Sequence, residues 1–130
     1  MKTRSPRLAA RAILVHEGRL LLVNAYPGGR SDLWCAPGGG VEPGMSLPDN
    51  LCREVAEECG LRIDVGPLAL VNEFHDPKSG FHQVDLFFRA TLTGVVEGAG
   101  VIAQRLESAD RHLGIAADAL AGPRGSEQPG

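Results

Sequence analysis

Gly38-Gly39-Gly40-Val41-Glu42-Pro43-Gly44-Met45-Ser46 runs directly into Leu47-Pro48-Asp49-Asn50-Leu51-Cys52-Arg53-Glu54-Val55-Ala56-Glu57-Glu58-Cys59-Gly60-Leu61. The stretch reads as a glycine loop feeding a short helix. Ser46 is a good N-cap, with Asp49 three residues on in the manner of a capping box. Pro48 falls in the first turn, where its missing N–H costs nothing. Gly60 suits the left-handed residue that closes a helix, and Leu61 supplies the apolar contact that follows it.

At helical spacing Glu54, Glu57 and Glu58 share one face, while Leu51, Cys52, Val55 and Cys59 share another that would bury against the domain. The acids burden the helix. Like-charge neighbours cost about 0.2–0.5 kcal/mol per pair, and negative charge in the last turn opposes the helix dipole by about 0.3–1 kcal/mol each. Arg53 can relieve Glu57 one turn away, but one cation does not neutralise three acids. Two readings follow. One is a solvated acidic face, as most acidic runs are; the other is a carboxylate cluster for a hard divalent cation, Mg²⁺ foremost. Spacing alone does not choose between them. The flanking sequence does.

That sequence resembles the Nudix box of the Nudix hydrolases, written G-x5-E-x7-R-E-U-x-E-E-x-G-U with U a bulky aliphatic. Gly39 matches the first glycine, and Arg53-Glu54-Val55-Ala56-Glu57-Glu58-Cys59-Gly60-Leu61 matches the whole second half. The run from Trp34 to Gly44 is similar to the family's approach to its box. One position departs: Met45 stands where the family has its first glutamate. Other glycine-loop readings fail. A P-loop needs a Gly-Lys-Ser/Thr ending and no lysine occurs here, and a dinucleotide fingerprint starting at Gly38 would need glycine where Pro43 stands.

The 130 residues make one domain, large enough for a core and too small for two. The net charge of −3 lacks the basic footprint of a nucleic-acid binder. Three cysteines (Cys35, Cys52 and Cys59) give no disulfide framework and no zinc spacing, so they read as small packing residues. The basic N-terminus is not followed by the uninterrupted apolar run of a signal peptide, and no segment is long enough to span a bilayer. The expected compartment is the reducing cytoplasm.

Along the chain, residues 1–7 read as a tail, 8–121 as the domain and 122–130 as a disordered tail. Ala12–His16 and Arg19–Val23 read as strands joined at Glu17-Gly18. Tyr26 to Asp32 reads as a loop, and Trp34 as packing beneath the glycine loop or, alternatively, stacking on a substrate. Leu68–Phe74 reads as a strand, followed by the turn-rich His75 to Gly80. From Phe81 to Thr93 the alternation sends Val84, Leu86, Phe88, Ala90 and Leu92 one way and Gln83, Asp85, Phe87, Arg89 and Thr91 the other. The second face could line a cleft with Arg89 reaching a phosphate, or could carry an Asp85–Arg89 pair on a wet surface. Gly94 to Gly100 reads as a loop bearing Glu97, Val101–Leu106 as a strand, and 108–113 and 115–121 as short helices. The fold class is α+β, layered.

The resemblance implies an α/β/α sandwich with a mixed sheet and hydrolysis of a nucleoside diphosphate linked to another group, by water attack on phosphorus. It implies Mg²⁺ (with Mn²⁺ as substitute) held by Glu54, Glu57, Glu58 and the Gly38 carbonyl. Glu54 and Glu57 would be catalytic, with Arg53 orienting the glutamates. Glu97 is the candidate extra ligand or base from outside the box. The expected partner is a small-molecule nucleotide, with triphosphates favoured over ADP-ribose, nucleotide sugars and dinucleoside polyphosphates. A homodimer is allowed; no nucleic acid or membrane is expected.

Overall fold

A computed structural model describes residues 5–24 and 34–96, with the backbone of 104–108. Its elements are β1 (Arg7–His16), β2 (Arg19–Asn24), β3 (Trp34–Cys35), β4 (Gly38–Gly40), α1 (Leu47–Cys59), β5 (Leu61–His75), β6 (His82–Val95) and β7 (Gln104–Ser108). The sheet runs β3-β2-β1-β6-β5, with β4 added on β1 and β7 on β2. β1 and β2 form the expected antiparallel hairpin, with Glu17 and Gly18 both at positive φ in its turn. β5 and β6 form a second, longer hairpin.

The two hairpins meet through β1 and β6, which run parallel from Arg7 opposite Gln83 to Leu14 opposite Ala90. A parallel pair needs a long crossover, and the chain from β2 to β5, with α1 in it, supplies one. The result is a mixed sheet with α1 on one face, the α+β layered class. The core forms where α1 meets the sheet. Leu51, Val55 and Cys59 pack against Ala10, Ala12 and Leu14 of β1, Leu21 and Val23 of β2, and Phe88 of β6.

Several elements differ from the sequence reading. The expected glycine loop begins as a strand, because β4 pairs antiparallel with Ala9–Arg11 of β1. β1 starts at Arg7, the last residue of the expected tail. β5 starts at Leu61 rather than Leu68. Its Gly66-Pro67 looks like a break, yet the strand passes through with register shifts between Val65 and Leu68 and between Leu68 and Leu70. An edge strand tolerates proline because its N–H side need not pair. β6 continues through Gly94, and Ser108 ends β7 instead of opening a helix. The expected loop at Tyr26–Asp32, Glu97 and the helical stretch beyond 108 lie outside the described residues.

A carboxylate pair between a glycine strand and the central helix

The site is built where β4 passes the last turns of α1. Ser46 caps the helix, its Oγ accepting from Asp49 N–H at 3.2 Å, and Gly60 closes it at φ 69° with its N–H on the Ala56 carbonyl. A rigid helix thus fixes where its acids point. Gly38 lies at φ 144° so close to β1 that a Cβ would collide with the Ala10 carbonyl oxygen. A Cβ on Gly39 would stand 2.9 Å from Glu54 Oε2. The glycines therefore bring bare backbone against the helix acids.

Gly38 N–H donates to Glu58 Oε1 at 3.2 Å. Burial pushes the Glu58 carboxyl up to about 7, and the charge and hydrogen bond of Glu54 push the same way. Gly38 N–H and Arg11 pull against that rise without cancelling it. The two carboxyls stand one turn apart on the helix and interact, Glu54 raising the cost of ionising Glu58.

Arg53 organises the other side. Its Nη1 donates to Glu57 Oε1 at 3.0 Å, the contact expected from spacing, and its Nη2 to Glu54 Oε1 at 3.2 Å. Nη2 also reaches Asn50 Oδ1 at 3.4 Å and lies 3.5 Å from Glu42 Oε1. Arg53 Nε is buried with no hydrogen-bond partner among the described residues. Of the three expected acids, Glu54 and Glu58 meet directly. Glu57 joins them only through Arg53 and keeps 61% of its side chain exposed, against 18% for Glu54.

No divalent ion has a ready-made cage of three or more His, Cys, Asp or Glu side chains among the described residues. The donor set nevertheless suits a hard cation: two neighbouring carboxylates, one of them partly desolvated, beside side-chain-free glycine backbone. Mg²⁺ is commonly bound by one or two carboxylates and completes its shell with waters and substrate oxygens.

Two polar features escaped the sequence reading. Asn50 is fully buried in α1; its signal was an amide amid the apolar stripe. Arg11 interrupts the apolar run of β1, and it pairs with Asp85, Nε to Oδ1 at 3.4 Å, while its Nη1 donates to the Ala36 carbonyl at 3.0 Å. Gln83 Nε2 donates to the same Asp85 oxygen at 2.9 Å. Parallel pairing sets Asp85 beside β1 and buries it, which is what brings Arg11 to it. Arg89 lies on β6 opposite Ile13 and is exposed. A separate cleft of about 580 Å³, lined by Leu14, His16, Glu17, Arg19, Leu21, Leu61 and Leu92, includes none of the three glutamates.

A glycine strand against a helix carrying Arg53, Glu54, Glu57 and Glu58 is the arrangement the box describes. The NUDIX domain family model matches residues 5–111, and the chain belongs to the Nudix family. Among curated proteins it is similar to diphosphoinositol polyphosphate phosphohydrolase 2 of Rattus norvegicus, 36% identical over 83 residues, covering 62% of this chain and 42% of that protein. The chain spans less than half the length of the curated relatives it matches. Among solved structures it is similar to a MutT NUDIX hydrolase from Burkholderia pseudomallei (TM-score 0.68, 29% identity, 82% of this chain and 86% of that one). A NUDIX hydrolase from Nitrosomonas europaea shares the fold at TM-score 0.72 and 20% identity, over 95% of this chain and 85% of that one. No helix among the described residues is long and apolar enough to cross a membrane.

Proposed function

We propose that this chain hydrolyses the pyrophosphate linkage of a nucleoside diphosphate joined to another group, by water attack on phosphorus. The cofactor is Mg²⁺, with Mn²⁺ able to replace it. The observation that carries this reading is the Glu54–Glu58 pair, partly desolvated and pressed against the Gly38-Gly39 backbone. Glu54, Glu57, Glu58 and the Gly38 carbonyl would hold the cation. Bound there, it would offset the charge of the diphosphate and lower the pKa of the attacking water.

The chain's own residues supply position. In phosphoryl transfer, positioning and electrostatics carry most of the catalysis, and a helix capped at both ends presents its carboxylates rigidly. Arg53 holds the Glu54 and Glu57 carboxylates in fixed relation. Glu57, the more exposed, is open to solvent and able to take a proton from water. The glycines leave room for phosphate oxygens beside the acids. Arg89 is the candidate phosphate contact and Glu97 the candidate further ligand or base. The substrate is a small-molecule nucleotide, with triphosphates the favoured class, acted on in the cytoplasm.

Glu57→Gln is expected to lower Mg²⁺-dependent turnover by about 10²-fold or more while leaving the melting transition in place. Undiminished turnover in that variant removes the mechanism. The best panel holds nucleoside triphosphates, ADP-ribose, nucleotide sugars and dinucleoside polyphosphates. A second reading, a nucleotide-binding module without turnover, is favoured by Met45. Calorimetric binding of ADP-ribose or a triphosphate with no product formed would select it.

A further inference from the structure

Asn50 has no part in the reaction outlined above, yet it is fully buried in the first turn of α1 beside Leu51. A buried amide is costly unless its donors and acceptor are met. Here they are met across three segments. Nδ2 donates to the Gly40 carbonyl at 3.2 Å at the end of β4. Oδ1 accepts from Glu42 N–H at 3.0 Å in the loop that follows, and from Arg53 Nη2 at 3.4 Å one turn along the helix. One side chain therefore ties the glycine strand, the loop bearing Glu42 and the guanidinium that holds Glu54 and Glu57.

The same guanidinium shows a gap. Arg53 Nε is buried without an acceptor among the described residues, and Met45 stands in the place the resemblance gives to a glutamate. Glu42 can approach Arg53 to 3.5 Å because its own backbone is pinned by Asn50. Losing Asn50 would remove one acceptor from Arg53 directly and loosen a second.

We propose that Asn50 is a positioning residue that fixes Arg53 and, through it, the Glu54 and Glu57 carboxylates, a support that a glutamate at position 45, as in the box the chain resembles, would share. The inference rests on the proposed hydrolase reading. It separates Asn50 from an ordinary buried polar group in two respects. Its loss acts on the rate of the chemical step rather than on nucleotide affinity. A carboxylate returned at position 45 makes it dispensable.

The test compares Asn50→Leu, Asn50→Asp, Met45→Glu and the Asn50→Leu/Met45→Glu pair, with Glu57→Gln as the reference for the site. Turnover of a nucleoside triphosphate and ADP-ribose with Mg²⁺ is measured alongside melting curves and the ¹⁵N signal of Arg53 Nε–H in metal-free protein. Asn50→Leu is expected to lower kcat by about 10- to 100-fold with KM within about threefold, and to broaden the Arg53 signal. Asn50→Asp, which keeps the acceptor, is expected to hold kcat within about threefold. Adding Met45→Glu to Asn50→Leu is expected to restore the rate and sharpen the signal. A folded Asn50→Leu protein that Met45→Glu does not rescue overturns the proposal, as does Asn50→Asp falling as far as Asn50→Leu.

If Asn50→Leu does not fold, Asn50→Ser, too short to reach Arg53, replaces it against Asn50→Asp; equal rates for those two overturn the proposal. Failure of the underlying reading looks different. Glu57→Gln then keeps full turnover, or no variant turns over at all, while the Arg53 signal alone still decides whether Asn50 and position 45 substitute for each other.

Discussion

Gly38 and Gly39 are neighbours, yet a methyl group added to either would fail for its own reason. At Gly38 it meets fixed backbone, the Ala10 carbonyl and Arg11 Cα, at a φ of 144° that side chains rarely adopt. Backbone strain alone costs about 1–3 kcal/mol. At Gly39 the obstacle is the end of the Glu54 side chain, which can swing aside. Gly38→Ala is therefore expected to lower the unfolding free energy read from a denaturant melt by at least that strain, whereas Gly39→Ala melts near the parent but loses turnover because Glu54 is displaced. Parent-level turnover in Gly39→Ala would mean that Glu54 need not stand there. Legibility at this scale followed distance along the chain. Helical spacing alone paired Arg53 with Glu57, and the structure gives that contact at 3.0 Å. Arg11 and Asp85 lie 74 residues apart, so no local pattern could join them. Asn50 went unread because one of its partners, Gly40, belongs to a strand that the sequence presented as a loop, and another, Glu42, follows it.

The helix was the easiest element to read, since caps, proline and buried stripe all act within a turn or two. Ser46, Gly60, Leu51 and Val55 all hold their expected places. Its acidic face carries a pH signature. Folded Glu58 keeps its proton up to about pH 7, whereas in the unfolded chain it titrates near its ordinary value of 4.5. The folded state binds more protons in between, so stability from this group is fully present below the lower value and is lost as pH rises through the upper one. Melting of the metal-free protein across this window is expected to show that decline, and Glu58→Gln to flatten it. An unchanged slope in the variant would place the titration elsewhere. The strands were less legible. Three glycines carry no side-chain alternation, so β4 had no signal, and Gly66-Pro67 hid the first half of β5 at the sheet edge. β6 was plain because its alternation runs unbroken, with Leu86, Phe88, Ala90 and Leu92 turned to the core as expected.

For the molecule as a whole, the box supplied what periodicity could not. Alternation identifies strands but not their neighbours, and the parallel match of β1 to β6 has no short-range cue. The proposed cation site would also link ion binding to global stability. A ligand at 100 times its dissociation constant adds about 2.7 kcal/mol to the folded state. Mg²⁺ is thus expected to raise the calorimetric melting temperature above pH 7, where Glu58 is ionised, and to do so far less in a Glu54→Gln/Glu58→Gln protein. An equal rise in both would place the ion at another position. The β1–β6 match also bears on how the protein comes into being. Every rung from Arg7 opposite Gln83 to Leu14 opposite Ala90 joins the beginning of the chain to its later part. Such remote pairings slow folding towards the millisecond-to-second range. On the ribosome, the first strand must wait through the synthesis of the helix and the whole fifth strand before its central neighbour exists. Until then its apolar stretch is what a nascent-chain chaperone would find.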